Sequence, residues 1–207
     1  MDSKERLVQA RQTTRQVYQT SAARFDQNRD KSLFEKPWLD RFLEHLPAGG
    51  RILDLGCGSG EPIAAYLIEL RFQITGVDYA PAMIDLARTR FPEHQWHAAD
   101  MRQMELEQSY DGIISWNGFF HLSETEQRQV LPVLAQQVNQ TGSLLLTVGP
   151  SAGEVTGTVA GQSVYHASLA EAEYRQILQE AGFGKIEFCP NDPTCNHHTI
   201  LLAQRRT

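Results

Sequence analysis

The chain has 207 residues, of which 41% are hydrophobic and 21% charged, the size and composition of one globular domain with a sizeable core. Its formal net charge is −6 and no run of Lys or Arg forms a basic stripe, so counterion release has little to act on and a nucleic-acid partner is not expected. The opening MDSKERLVQARQ lacks the apolar core of a signal peptide, no apolar run approaches membrane-spanning length, and the cysteines Cys57, Cys189 and Cys195 are too few and odd in number for a disulfide framework; the expectation is a soluble, cytoplasmic protein with free thiols, a monomer or homodimer without membrane contact.

In residues 1–48, Tyr18, Ala22 and Phe25, then Trp38, Phe42 and Leu46, keep helical spacing. Two helices are expected there, placed to close over a ligand as a lid. From 49 to 207, RILDL, FQITGV, HQWHAA, YDGIIS and SLLLTVG read as strands, separated by helical segments such as the one carrying Ile63, Ala64, Leu67 and Ile68. Strands that recur across helices imply a Rossmann-like α/β fold, a mostly parallel sheet with helices on both faces. Pro62 and Pro81 each follow a strand, where a first-turn proline loses no helix hydrogen bond. Pro132 is expected to kink or split the segment from Ser123 to Asn139. An insertion follows the fifth strand at about 150–166, and KIEFC and HTILLAQ, joined by a loop without a helix, form a hairpin that ends the sheet with an antiparallel strand.

The chemistry starts at RILDLGCGSGEP, where an apolar strand enters a turn with Gly56, Gly58 and Gly60 before a proline opens a helix. A dinucleotide fingerprint places a third glycine where this chain has Glu61, and no Gly-Lys-Ser/Thr follows for a phosphate loop. With Asp54 ending the strand, two carboxylates flank the turn where a diphosphate would sit, and like charges in a partly desolvated site are costly. A ligand with no phosphate and with positive charge near the turn suits the loop: S-adenosylmethionine. In GVDYAPAMIDLA, Asp78 ends the second strand and is positioned to accept from both ribose hydroxyls, with Tyr79 and Met83 in the same segment. In HAADM, Asp100 is placed to accept from an adenine amino group while the Met101 N–H donates to the ring.

On the segments LDLGCGSG, GVDYAPAMIDLAR, HAADM and YDGIISWNGFFHL, the chain resembles class I S-adenosylmethionine-dependent methyltransferases, from about Tyr18 to Gln204. The similarity is closest to their small-molecule branch, with an insertion like GEVTGTVAGQSVYHAS and a terminal NHHTILLA strand. The resemblance implies a seven-stranded sheet with its last strand antiparallel. It also implies that Asp54 and the loop backbone, Cys57 included, hold the aminoacyl end of the donor, and that Ser115 and Trp116 line the floor beneath the sulfonium. Tyr18 and Arg29 lie where an N-terminal helix reaches the donor carboxylate.

Enzymes of this fold that methylate exocyclic amines of nucleic-acid bases carry Asn/Asp/Ser-Pro-Pro-aromatic after the fourth strand; here the stretch is SWNG. The acceptor is therefore expected to be a small molecule, methylated on O, N, S or another centre. Trp116, Phe120, Glu154, Tyr165 and His198 are candidates to handle it, with His121 and His166 as candidate general bases. A non-catalytic module that binds S-adenosylmethionine or supports a partner remains the alternative. Aminopropyl transfer would want paired carboxylates where SWNGFFHL stands. The cluster of Cys189, Cys195, His197 and His198 has no common zinc spacing, and His197 and His198 would face opposite ways if both lay in the last strand; no metal site is expected.

Overall fold

The computed structural model describes residues 2–104 and 108–205. Helix α1 (Ser3–Asn28) is started by a capping box, in which the Asp2 carboxylate accepts from the Glu5 N–H and the Glu5 carboxylate from the Asp2 N–H. Most of α1 is polar and exposed. Ala10, Thr14, Val17, Ala22 and Asp26 are buried, and their spacing of three to five residues gives one inward stripe along its length. Helix α2 (Lys36–Leu43) buries Trp38, Leu39 and Phe42.

The sheet elements follow as β1 (Arg51–Leu55), α3 (Ile63–Glu69), β2 (Gln73–Asp78), α4 (Pro81–Arg90), β3 (Gln95–Ala98), β4 (Tyr110–Ser115), α5 (Glu124–Gln136) and β5 (Val138–Val148). After them come β6 (Gly153–Val159), β7 (Gln162–Ser168), α6 (Glu171–Glu180), β8 (Lys185–Asp192) and β9 (His198–Gln204). Seven strands form one sheet in the order β3-β2-β1-β4-β5-β9-β8, parallel except that β9 runs antiparallel to both neighbours. The expected hairpin is therefore β8–β9, with β9 inserted beside β5 and β8 at the edge.

Alternate residues of a strand face opposite sides, and here both sides are covered. Leu53, Leu55, Ile113, Leu144 and Leu146 pack under α5 and α6, while Ile52, Ile74, Ile114, Leu145 and Leu202 pack under α2, α3 and α4. Burial on both faces is why these strands read as continuous apolar runs.

The structure departs from the sequence reading in three places. Helix α5, begun by a Ser123–Glu126 capping box, runs through Pro132 to Gln136 without being split, and only the capping residue Gln137 separates it from β5. The fifth strand begins at Val138, earlier than SLLLTVG, because it accommodates an irregularity opposite Tyr110–Gly112. The insertion is itself a β-hairpin: β6 and β7 make a separate two-stranded sheet around a two-residue turn of Ala160 and Gly161, both at positive φ (51° and 82°). This hairpin packs on α1, where the Tyr165 N–H donates to Thr14 Oγ1 at 2.9 Å and the Tyr165 ring lies buried with Ala10. Among the described residues no helix is long and apolar enough to cross a membrane, and Cys57, Cys189 and Cys195 are free thiols.

Candidate active site

The strand order reverses between β1 and β4, and a cleft opens at the carboxyl ends of the strands there, the place where open α/β sheets hold ligands. The turn after β1 makes its floor. Gly56, Gly58 and Gly60 all have positive φ (75°, 54° and 83°), and a Cβ on Gly56 would lie 3.0 Å from Gly118 Cα, so the turn needs glycine both for conformation and for close approach. Gly56 and Cys57 donate to the Val77 carbonyl at 2.7 and 3.1 Å. Asp78 completes the tie, accepting from the Gly58 N–H at 3.0 Å and the Ala80 N–H at 2.8 Å.

The cleft is acidic at its centre. Burial, and then the neighbouring Asp78 charge, push the Asp54 carboxyl up to about 7. Asp78 is pushed up to about 6 by burial, against the two N–H bonds that favour its charged form. Glu61, read from the sequence as a second repelling carboxylate, also borders the cleft but is paired: Lys31 Nζ lies 2.6 Å and Arg90 Nη1 3.1 Å from its Oε2. The repelling pair is Asp54 with Asp78, and only the fold brings them together.

Helix α1 roofs the cleft. Asp26 accepts from Ser59 Oγ at 2.5 Å and from both Arg90 Nη atoms at 2.6 and 2.5 Å, and the Arg90 bonds hold its carboxyl down at about 2. This buried clasp joins α1 to the glycine turn and α4, and brings Tyr18, Phe25 and Arg29 to the cleft wall. Among the described residues, the buried Tyr79 hydroxyl and Trp116 Nε1–H, of two side chains that line the cleft, have no hydrogen-bond partner. Burying such donors unpaired is costly, so both call for a ligand.

Of the residues expected to hold a donor, Tyr18, Arg29, Asp54, Gly56, Cys57 and Gly58 line the cleft, as do Asp78, Tyr79, Met83, Met101 and Trp116. Asp100 lies at its far end with Met101, where Arg102 grips both carboxylate oxygens. Two do not line it. Gly60 packs instead against Phe91 and Trp96, and the Ser115 hydroxyl is buried in a 2.7 Å bond to the Leu55 carbonyl, bracing β4 to β1.

A second cavity of about 730 Å³ adjoins the cleft between β5, the β6–β7 hairpin and the start of β9. Phe120, Glu154, His166 and His198 line it. Tyr165 does not, since its ring turns under α1 and its hydroxyl donates to Glu154. Trp116 faces the cleft and stacks on His198, ring centroids 5.5 Å apart. His197 precedes β9 with φ 56°, so it and His198 both reach the cavity wall, contrary to the opposite facings expected of two strand residues.

The two candidate bases part company here. His121 Nδ1 lies 2.7 Å from the Tyr165 carbonyl, which only accepts, so that nitrogen carries the proton. Burial holds the ring neutral, down at about 4. Its Nε2 therefore accepts from the Tyr18 hydroxyl at 3.0 Å, and neither nitrogen is left for a ligand. His166 lines the cavity and has no hydrogen bond on either nitrogen among the described residues.

Tyr18, Phe25 and Asn117 border both cavities. The sequence reading passed over Phe25 and Asn117 as site residues. Asn117 holds φ 57° at the end of β4, its N–H donating to Thr147 Oγ1 at 2.7 Å; the Asn-Gly pair directly after a strand was the signal for that left-handed turn.

Comparison with known proteins agrees with this geometry. The profile of the family described as "Methyltransferase domain" matches residues 52–142. The chain is 38% identical over 163 residues to a malonyl-[acyl-carrier protein] O-methyltransferase of Anoxybacillus flavithermus, covering 75% of this chain and 56% of that protein. It is 34% identical over 143 residues to a trans-aconitate 2-methyltransferase of Escherichia coli O157:H7, covering 63% of this chain and 55% of the relative. It thus spans about half the length of the curated relatives it matches. Among solved structures, CalS10, an amino pentose methyltransferase from Micromonospora echinaspora, superposes with a TM-score of 0.67 at 21% identity, over 90% of this chain and 96% of its own. The 1,6-didemethyltoxoflavin-N1-methyltransferase of Burkholderia thailandensis gives 0.68 at 20%, over 100% and 92%.

Proposed function

We propose that this chain is a class I S-adenosylmethionine-dependent methyltransferase, as the matched methyltransferase-domain profile and its methyltransferase relatives support, and that it transfers a methyl group from S-adenosylmethionine in the cleft to a small-molecule acceptor in the adjoining cavity. One observation carries the reading: the two spaces meet at Tyr18, Phe25 and Asn117, so a ligand in each would be in contact there. A module that only senses S-adenosylmethionine has no use for a second cavity of about 730 Å³ opening onto the first. The acidic balance of the chain supports a small molecule over a nucleic acid as acceptor, in a cytoplasmic monomer or homodimer.

The cleft residues fit the donor. Asp54 and the glycine turn receive its ammonium end, Asp78 its ribose hydroxyls, and Asp100 with the Met101 N–H its adenine; Arg29, expected at its carboxylate, lines the cleft already paired with the buried Glu35. The unpartnered Tyr79 hydroxyl and Trp116 Nε1–H gain acceptors. When bound, S-adenosylmethionine supplies an electrophilic methyl group on a sulfonium. The protein's own contribution is then to exclude water and hold the nucleophile in line, about 3 Å from that methyl. His166, with its free imidazole on the cavity wall, takes the acceptor's proton. His121 acts as a positioning residue that orients Tyr18 at the junction.

Calorimetry on the ribose contact tests the reading. Asp78→Ala should weaken S-adenosylhomocysteine binding by about 10- to 100-fold, the 1.5–3 kcal/mol range for losing hydrogen bonds to a charged group. Asp78→Asn, which keeps the side chain's size but can accept from only one of the Gly58 and Ala80 N–H groups, should give an intermediate loss. Unchanged affinity in both variants would remove the ribose assignment.

A further inference from the structure

Among the described residues, the acceptor cavity is lined by neither Lys nor Arg. Its walls come from Thr147 to Glu154 after β5, from the hairpin at Val155, Thr158, Val159 and His166, and from the turn around Asn196 to Thr199, with Tyr18, Phe25 and Phe120 across from them. The carboxylate among them is Glu154, which accepts from the Tyr165 hydroxyl. Burial lowers the His166 imidazole below its ordinary range, so it adds no positive charge near neutral pH. Outside it, Arg24 and Arg29 line a neighbouring recess; Arg29, which also borders the donor cleft, is paired with the buried Glu35, and Arg24 is exposed to solvent.

A carboxylate moved from water into such a wall loses its hydration and gains no Lys or Arg counter-ion, and Glu154 adds repulsion. An uncharged group loses far less and finds the side chains of Asn117, Thr147 and His166 as hydrogen-bond partners. The aromatic faces, with Phe120 tilted over His166 at 4.4 Å between ring centroids, suit a flat apolar body. The volume lies within the roughly 300–1,000 Å³ usual for small-molecule pockets.

We propose that the acceptor is a ring-bearing molecule whose reacting end is uncharged, a hydroxyl or a neutral nitrogen, and that carboxylates are rejected. This rests on the reading of the cavity as the acceptor site. It sets the chain apart from the relatives named for malonyl and aconitate acceptors, both of which carry carboxylates. In the step, the acceptor's oxygen or nitrogen forms a bond to the methyl carbon while the carbon–sulfur bond breaks. That electron pair stays on sulfur, which becomes a neutral thioether. The acceptor's proton passes to a ring nitrogen of His166 and from the imidazolium to solvent.

Saturation-transfer NMR on the full chain with S-adenosylhomocysteine bound tests the charge preference without turnover. 2-Naphthol and 2-naphthoate share the ring and differ in charge, and trans-aconitate adds a carboxylate without a ring. The naphthol should bind at least tenfold more tightly than either carboxylate. Val155→Arg, on the exposed lip strand β6 (Val155 is 61% exposed), brings in the missing cation and should narrow or reverse that ratio. A carboxylate that binds the wild-type protein as well as the naphthol does, or a naphthol that does not bind, overturns the proposal. Failure of S-adenosylhomocysteine to bind in a parallel calorimetric titration overturns the underlying methyltransferase reading instead.

Discussion

Asp54 and Asp78 end adjacent parallel strands, with carboxyls pushed up to about 7 and about 6 by burial. In the unfolded chain both would ionise near their ordinary value, so between about pH 4 and 7 the unfolded state holds fewer protons than the folded one. Their contribution to stability is therefore full below about 4 and is lost as pH rises through 6 to 7. A ligand carrying a sulfonium and an ammonium reverses this, because it favours the ionised carboxyls. The affinity for S-adenosylmethionine should accordingly rise between pH 5 and 8 with release of protons, read by calorimetry in buffers of different ionisation enthalpy. A flat affinity and no proton exchange would mean that the ligand's charge does not face the pair. The acidic residues at these strand ends were plain in the sequence; that Glu61 is tied to Lys31 and Arg90 was not, since those partners come from a distant loop and helix.

At the scale of elements, the hairpin β6–β7 forms one wall of the second cavity. Gly157 lies on β6 under the His166 ring, and a Cβ there would come within 2.3 Å of His166 Cε1. Gly157→Ala must therefore push the imidazole out of its place toward solvent. Histidine-selective NMR titration should then show the His166 pKa moving up toward its ordinary value, while calorimetry finds S-adenosylhomocysteine affinity unchanged, since the glycine turn after β1 is untouched. A stationary His166 resonance would show that the hairpin does not hold the ring. The hairpin was readable in principle from its Ala-Gly turn between threonine- and valine-rich runs, but β6 is exposed almost throughout and carries no alternating apolar pattern. Helix α1 posed the opposite difficulty: its buried stripe is mostly small or polar residues, so its packing partners leave little hydrophobic signal.

For the molecule as a whole, the reversal of strand order between β1 and β4 decides where a ligand binds, and the acidic centre of that cleft decides which kind. S-adenosylmethionine at 100 times its Kd should stabilise the fold by about 2.7 kcal/mol, a rise in Tm of about 5–10 °C for a domain of this size. NAD, whose diphosphate would meet Asp54 and Asp78, should leave the Tm unchanged in the same thermal melt. A rise with NAD alone would overturn the assignment of the cleft.

The sequence by itself determined the strands of the seven-stranded sheet, the three-glycine turn, the acidic strand ends and the closing antiparallel hairpin. These are written in local spacing: apolar runs buried on both faces, glycines where φ must be positive, turn residues between strands. The tertiary structure alone decided what those residues face. Tyr18 and His121 stand 103 positions apart, and their bond, with the Tyr165 carbonyl on the other side of the ring, consumes a histidine that looked free. The Asp26 clasp on Ser59 and Arg90, and a second-cavity wall with neither Lys nor Arg among its described residues, likewise depend on groups drawn from distant segments. No local period records such meetings, because the charge and hydrogen bonding of a side chain are set by whatever folding brings within a few ångströms of it.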